Sequence, residues 1–273
     1  MKTPYAFLSV SLLSLVLIGS CIAEDAAQDD EGFESLFDGE TLDGWEAPDM
    51  SYWSVEEGAI TAQSTEENPC DSNQFLVWQG GDVADFELKA KFRLADNKGN
   101  SGIQFRSRID EDGMGIGYQA DILPGGPWCG ALADEYTGRE PLMAPNGHKT
   151  VVAEDGTRTC EKVGEPVTLR KAGEWNDYRI VAEGHRMVLE INGEVSAEFI
   201  DNDAKKFQPS GILALQLRSG PPMKVQFKEI YLKVLECPSP GSALFAGEAD
   251  CGPARNPAGF VLASTPFNPN TKT

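Results

Sequence analysis

An all-β fold built as a sandwich or barrel of antiparallel strands is what this sequence predicts, on three observations. Alternating apolar and polar residues recur through residues 33–235, divided at short intervals by Gly, Asn, Asp and Pro. No long 3.6-residue periodicity follows the leader, so there are no crossover helices to cover a parallel sheet. Turn signals of the tight hairpin type punctuate the runs, Asn192-Gly193 being the strongest.

The elements follow in order. Residues 52–55 and 59–63 flank Glu-Glu-Gly and read as a hairpin. Residues 86–94 alternate cleanly, with Phe86, Leu88, Ala90, Phe92 and Leu94 on one face and Glu87, Lys89, Lys91 and Arg93 on the other. After a turn cluster, residues 103–109 form the next strand, then 118–123. Residues 177–182, 187–191 and 194–199 read as a meander, and 211–218 and 224–235 complete the set. Residues 124–174 carry little alternation and much Gly, Pro, Asp and Glu, which predicts a long irregular insert, either a functional loop or a disordered one.

Before this domain, Lys2 precedes an apolar run at residues 6–18 and then Gly19-Ser20-Cys21. The run is too short for a spanning helix and reads as a signal peptide over residues 1–20. Small residues before a cysteine resemble a bacterial lipobox, which would lipidate Cys21 and hold the protein at the periplasmic or cell-surface membrane. Ordinary cleavage near Ala23, giving a secreted protein, is the alternative. An acidic spacer at residues 21–32 leads into the β domain, and a Pro/Gly-rich tail occupies 236–273.

The 273 residues carry 23 basic and 43 acidic side chains, a net charge of −20, which argues against nucleic acid as a partner. A membrane partner enters only through the lipid anchor. Export permits disulfides. Five cysteines remain beyond Cys21, an odd number, and Cys237 with Cys251 is the first pairing because it closes a Pro/Gly-rich loop. No zinc spacing, GxSxG, P-loop, HExxH or EF-hand pattern occurs.

Three strands share a polar face of Gln, Arg and Asp without Lys. Gln104, Arg106 and Arg108 oppose Ile103 and Phe105; Gln119 and Asp121 oppose Tyr118, Ala120 and Ile122; Gln216 and Arg218 oppose Leu213, Leu215 and Leu217. Arg offers a planar fork and Gln both a donor and an acceptor, which suits a ligand rich in hydroxyl and carbonyl groups. The expectation is that Gln104, Arg106 and Arg108 project into one cleft beside Asp121, with Gln216 and Arg218 further along it. The insert adds Trp128 and Tyr136 as flat platforms, Arg139 as a further contact, and Asp134, Glu135 and His148 as proton-transfer groups.

Residues 33–235 resemble the 3-keto-disaccharide hydrolase domain family, long a domain of unknown function. The likeness lies in FESLFDGETLDGW (33–45), WSVEEGAI (53–60), DFELKAKFR (85–93), NSGIQFR (100–106), GYQADI (117–122), EWNDYRI (174–180), ING (191–193) and GILALQLRSGPPMKVQFKEI (211–230). It implies a two-sheet antiparallel jelly-roll sandwich of the concanavalin-A-like lectin/glucanase type, with ligand on the concave sheet. It also implies cleavage of glycosidic bonds in 3-keto sugars. A base removes the acidified C2 proton and the C1 substituent leaves by elimination, so paired glycosidase carboxylates are not needed. Residue chemistry assigns the proton transfers to Asp121, Glu135 or His148, and the enolate to Arg106 or a divalent metal ion. Such a cation would draw on Asp121, Asp134, Glu135 and His148; no other cofactor is called for. A non-catalytic, lectin-like carbohydrate-binding module and a structural cell-surface domain remain the alternatives. What separates them is whether Asp121, Arg106 and Glu135 or His148 converge.

Overall fold

The computed structural model describes residues 31–235. The signal peptide, Cys21, most of the acidic spacer, and the tail with Cys237 and Cys251 lie outside the described residues. Within them no helix is long and apolar enough to cross a membrane. Cys70, Cys129 and Cys160 are free thiols.

The described residues hold seventeen strands. They begin with β1 (Glu34–Ser35), β2 (Trp45–Glu46), β3 (Trp53–Glu56), β4 (Ala59–Gln63), β5 (Gln74–Trp78) and β6 (Phe86–Leu94). Next come β7 (Ser101–Ile109), β8 (Gly115–Ile122), β9 (Leu132–Glu135), β10 (Leu142–Ala144), β11 (His148–Val152) and β12 (Arg158–Lys162). The last five are β13 (Asn176–Glu183), β14 (Arg186–Ile191), β15 (Glu194–Asp201), β16 (Ile212–Leu217) and β17 (Lys224–Val234). One sheet of ten strands runs β12-β11-β15-β14-β13-β6-β17-β4-β3, with β1 also on β17. The other, of seven, runs β10-β9-β8-β7-β16-β5-β2. Pairing is antiparallel apart from β11 with β15.

The apolar faces meet between the sheets. Phe86, Leu88, Phe92, Tyr178, Ile180 and Phe227 of the larger sheet share a core with Ile103, Phe105, Tyr118, Ile122, Leu215 and Leu217 of the smaller. The hairpin turns are built as their sequences require. Glu57-Gly58 and Asn192-Gly193 both place two successive residues at positive φ, the type I′ geometry that matches strand twist.

The insert at 124–174 is not irregular: it contains β9 to β12. These strands have three to five residues, too few to display a period, and β12 is exposed along its whole length, so it has no apolar face to reveal it. β5, in which Gln74 leads into the unbroken apolar run Phe-Leu-Val-Trp, and the two-residue β1 and β2 lack alternation for related reasons.

Candidate functional site

The outer faces of the two sheets differ. Along β6 the polar side chains stay half-exposed, the pattern of a solvated surface. Along β7, β8 and β16 both faces are buried for most of their length. Register aligns the buried polar groups: Gln104 stands opposite Gln119 and Ala214, Gly102 opposite Asp121, Gln216 opposite Phe75, and Gly117 opposite Glu135. Directly paired residues share a face, so Gln104, Gln119, Asp121, Glu135 and Gln216 lie together on the side away from the core.

A hydrogen-bonded row crosses this face. Gln104 Nε2 donates to Gln119 Oε1 at 3.1 Å, and Gln119 Nε2 donates to Asp121 Oδ1 at 2.6 Å. Gly102 makes the row compact, since a Cβ there would meet Gln119 Cδ at 2.6 Å. From the opposite sheet, the buried Tyr178 hydroxyl donates to the Asp121 carbonyl at 3.1 Å and fixes the strand end. Three amide oxygens have no protein partner although they are buried: Asn100 Oδ1, Gln104 Oε1 and Gln216 Oε1. Each such acceptor costs about 1–3 kcal/mol until a donor reaches it. Asn100 was not singled out from sequence, yet it extends the alternation 100-102-104 by one step.

The charges converge on the same face. Burial pushes the Asp121 carboxyl up to about 8; the Gln119 bond and Arg218 oppose the rise, and Glu135 adds to it. Glu135 is also raised, by burial first, with Arg218 pulling it down and Asp134 pushing it up. Arg218, exposed at the end of β16, therefore acts on both carboxyls. Below about 8 Asp121 keeps its proton, and the neighbouring Glu135 carboxylate favours that state.

This arrangement has a consequence for stability. Asp121 titrates near 8 in the fold and at about 4 in an unfolded chain. Between those values the folded protein holds a proton that the unfolded chain has lost. Stability should therefore fall as pH rises from about 4 to about 8 and level off above. Melting temperatures across that range check it, and Asp121→Asn should flatten the slope; an unchanged slope in that variant would place the titration elsewhere.

Arg106 is not on this face, which corrects the expectation from alternation. A β-bulge between Phe105 and Ser107 places Arg106 at φ +46° and turns its side chain toward the other sheet. It is fully buried and donates to the carbonyls of Ala84 and Gly184 and to Asp85 Oδ1, each at 2.7 Å. Arg108 lies past the bulge, exposed. Arg139 is likewise occupied, paired with buried Asp134, with Asp201 at 2.8 Å and with Asp203 at 3.8 Å. Tyr118 donates to the same Asp201 at 2.6 Å, so this cluster ties the core together. Tyr136 is 59% exposed. Trp128, half-buried, lies in the β8–β9 connection, whose Gly130 and Ala131 hydrogen-bond the Asp121 backbone.

His148 sits on β11 of the larger sheet, its Nδ1 2.9 Å from the Asn146 carbonyl oxygen. Asp134 and Glu135 are neighbours in β9 and so point to opposite faces. The four-residue cation set expected from sequence is thus dispersed. Among the described residues no three His, Cys, Asp or Glu side chains are grouped to hold a metal ion.

The family model described as a 3-keto-alpha-glucoside-1,2-lyase-like domain matches residues 32–233. No curated protein matches the chain. Among solved structures, one from Parabacteroides distasonis ATCC 8503, provisionally named a glycosyl hydrolase, aligns with TM-score 0.53 at 21% identity over 76% of this chain and 95% of that one. A second from the same organism, named likewise, aligns with TM-score 0.47 at 19% identity, over 74% and 99% of the two chains. The carbohydrate binding module CBM66 from Bacillus subtilis aligns with TM-score 0.42 at 14% identity, over 70% and 95%. The first of these shares the fold, and the two-sheet antiparallel sandwich expected from the sequence is the one found.

Proposed function

Because the chain belongs to the 3-keto-alpha-glucoside-1,2-lyase-like domain family, we propose that it cleaves 3-keto glycosides or disaccharides by C2 proton abstraction, elimination and hydration. The observation that carries this reading is the pair of carboxyls Glu135 and Asp121 on one face, both within the electrostatic reach of Arg218, beside the unpartnered amide oxygens of Asn100, Gln104 and Gln216.

Glu135 is the base. Burial raises its pKa, which makes it a stronger base than a surface glutamate. As Glu135 takes the C2 proton, the C2–H electron pair moves toward C3 and charge develops on the 3-keto oxygen. Arg218 supplies the positive charge there, the role first given to Arg106. Collapse of the enolate restores the ketone, forms a C1–C2 double bond and breaks the C1–O bond. Asp121 gives its proton to the leaving oxygen. Water then adds at C1, Glu135 returns its proton to C2, and the remaining water proton restores Asp121. The amide oxygens of Asn100, Gln104 and Gln216 accept from sugar hydroxyls. A binding module without catalysis is the second reading, favoured by those three oxygens, which need only hydroxyl donors.

The test incubates the protein with a 3-keto glucoside and with the parent glucoside, with and without chelator. Release of the aglycone from the oxidised sugar alone is expected. Binding without release would reject catalysis in favour of the module, and loss of release with chelator would reject the metal-free scheme. The reading extends to location: the leader exports the protein and Cys21 carries lipid. The mass of the mature N-terminus checks this, since a chain beginning at residue 24 would rule out the anchor.

A further inference from the structure

Gln104 and Gln119 are fully buried, and both ends of the Gln119 amide are engaged. Its Oε1 accepts from Gln104 Nε2, and its Nε2 donates to Asp121 Oδ1. Two glycines make room for the row: a Cβ at Gly102 would overlap the Gln119 side chain, and one at Gly115 would meet Gln104 Nε2 at 2.9 Å. The row has a direction. Turned the other way, Gln119 Nε2 would donate to Gln104 Oε1, and Gln119 Oε1 would face Asp121 Oδ1, a contact that only a proton on Oδ1 satisfies. In the direction found, Oδ1 accepts, which leaves Oδ2 to carry the Asp121 proton. An ionised carboxylate also accepts, so the same row fits Asp121 before and after its proton leaves.

We infer that Gln119, held in this direction by Gln104, is a positioning residue for proton delivery by Asp121. The assignment rests on the function proposed above and adds to it a side chain that acts through Asp121 alone. As the Oδ2–H bond breaks, the leaving oxygen takes the proton and the electron pair stays on the carboxylate. The Gln119 bond to Oδ1 then becomes charge-assisted, so it strengthens as the transition state forms. No group has to turn at that moment, which is the advantage of a preset donor. The other groups that act on Asp121 come from separate elements. They are Glu135 of β9, Arg218 after β16, and the Tyr178 hydroxyl of β13, which donates to the Asp121 backbone carbonyl. The hydrogen-bonded route from Gln104 to Asp121 runs through Gln119.

A pH titration of the full chain without ligand tests this by carboxyl carbon NMR, with the Asp121 signal assigned by its loss in Asp121→Asn. Methionine keeps the unbranched shape of glutamine and buries readily, but it has no amide. Gln119→Met removes a donor that favours the carboxylate, so Asp121 should hold its proton to about one pH unit higher. Gln104→Met should move the midpoint the same way, because the freed Gln119 amide turns its oxygen to the Asp121 proton. The double variant should match Gln119→Met alone, as expected when one residue acts through the other. On a 3-keto glucoside, Gln119→Met should lower kcat about tenfold with KM unchanged. An Asp121 that titrates in Gln104→Met as in the unaltered chain overturns the inference. So does a double variant whose shift is the sum of the two, or a Gln119→Met protein with full kcat. If the titrations follow the row but the unaltered chain cleaves no 3-keto glucoside, the enzymatic reading fails while the control of the Asp121 proton by the row stands.

Discussion

Glu135→Gln should leave sugar binding intact and lower kcat on a 3-keto glucoside by about 10²–10⁴-fold, the usual worth of a positioned base. The amide keeps the size of the side chain and can still hydrogen-bond, but it cannot accept the C2 proton. The loss belongs in kcat because the proton moves only as the transition state forms. A second effect goes with it. Glu135 is one of the charges that raises Asp121, so the amide should let Asp121 ionise at lower pH. In the unaltered protein, activity should rise with ionisation of Glu135 and fall as Asp121 loses its proton near 8. In the variant, whatever activity remains should lose its rising limb. A variant with full kcat and an unchanged pH profile would remove Glu135 from the reaction and leave the carboxyl pair as a binding feature.

That Glu135 could not be ranked above Asp121 and His148 from sequence has a physical reason. The apolar faces of β6, β7, β8 and β16 were legible because a two-residue period sustained along a strand matches the pleat and no helical turn. Gln104, Gln119, Asp121 and Gln216 came with them, since the opposite face follows by parity. Glu135 lies in a four-residue strand, where the same parity separates it from Asp134, but the strand itself gave no signal. His148 drew attention for its chemistry alone, and chemistry carries no information about which sheet a residue occupies. Arg106 was misread for a subtler reason. One extra residue in a strand sends the next side chain to the other face, and nothing in Gln-Phe-Arg-Ser-Arg marks the bulge. A trace lies elsewhere: Gly211 has no Cβ where one would meet Ser107 O at 2.3 Å and Arg106 C at 2.7 Å, so backbones approach closely at the bulge.

Arg106→Leu should destabilise the fold by about 3 kcal/mol, the lower end of what breaking a buried ion pair costs. For a domain of this size that is a fall in melting temperature of about 6–12 °C. The guanidinium joins three points of the sandwich edge: Ala84 and Asp85 before β6, and Gly184 in the β13–β14 turn. Leucine fills the space but leaves two carbonyls without their donor and Asp85 without its counter-charge. Asp85 limits the damage, because its side chain is 26% exposed and it still accepts from Gly184 N at 2.9 Å. The backbone resists relief, since residue 106 must keep φ +46°, which a leucine tolerates no better than an arginine. Asp85→Asn in the Arg106→Leu background should recover part of the loss, because it removes the charge left unpaired. Arg218→Leu is the contrasting variant: its side chain is exposed, so melting should barely change while turnover falls. Were Arg106→Leu to melt like the unaltered protein and lose only turnover, the buried clamp would be the wrong account of this arginine, and the ligand-facing role expected from strand alternation would be restored.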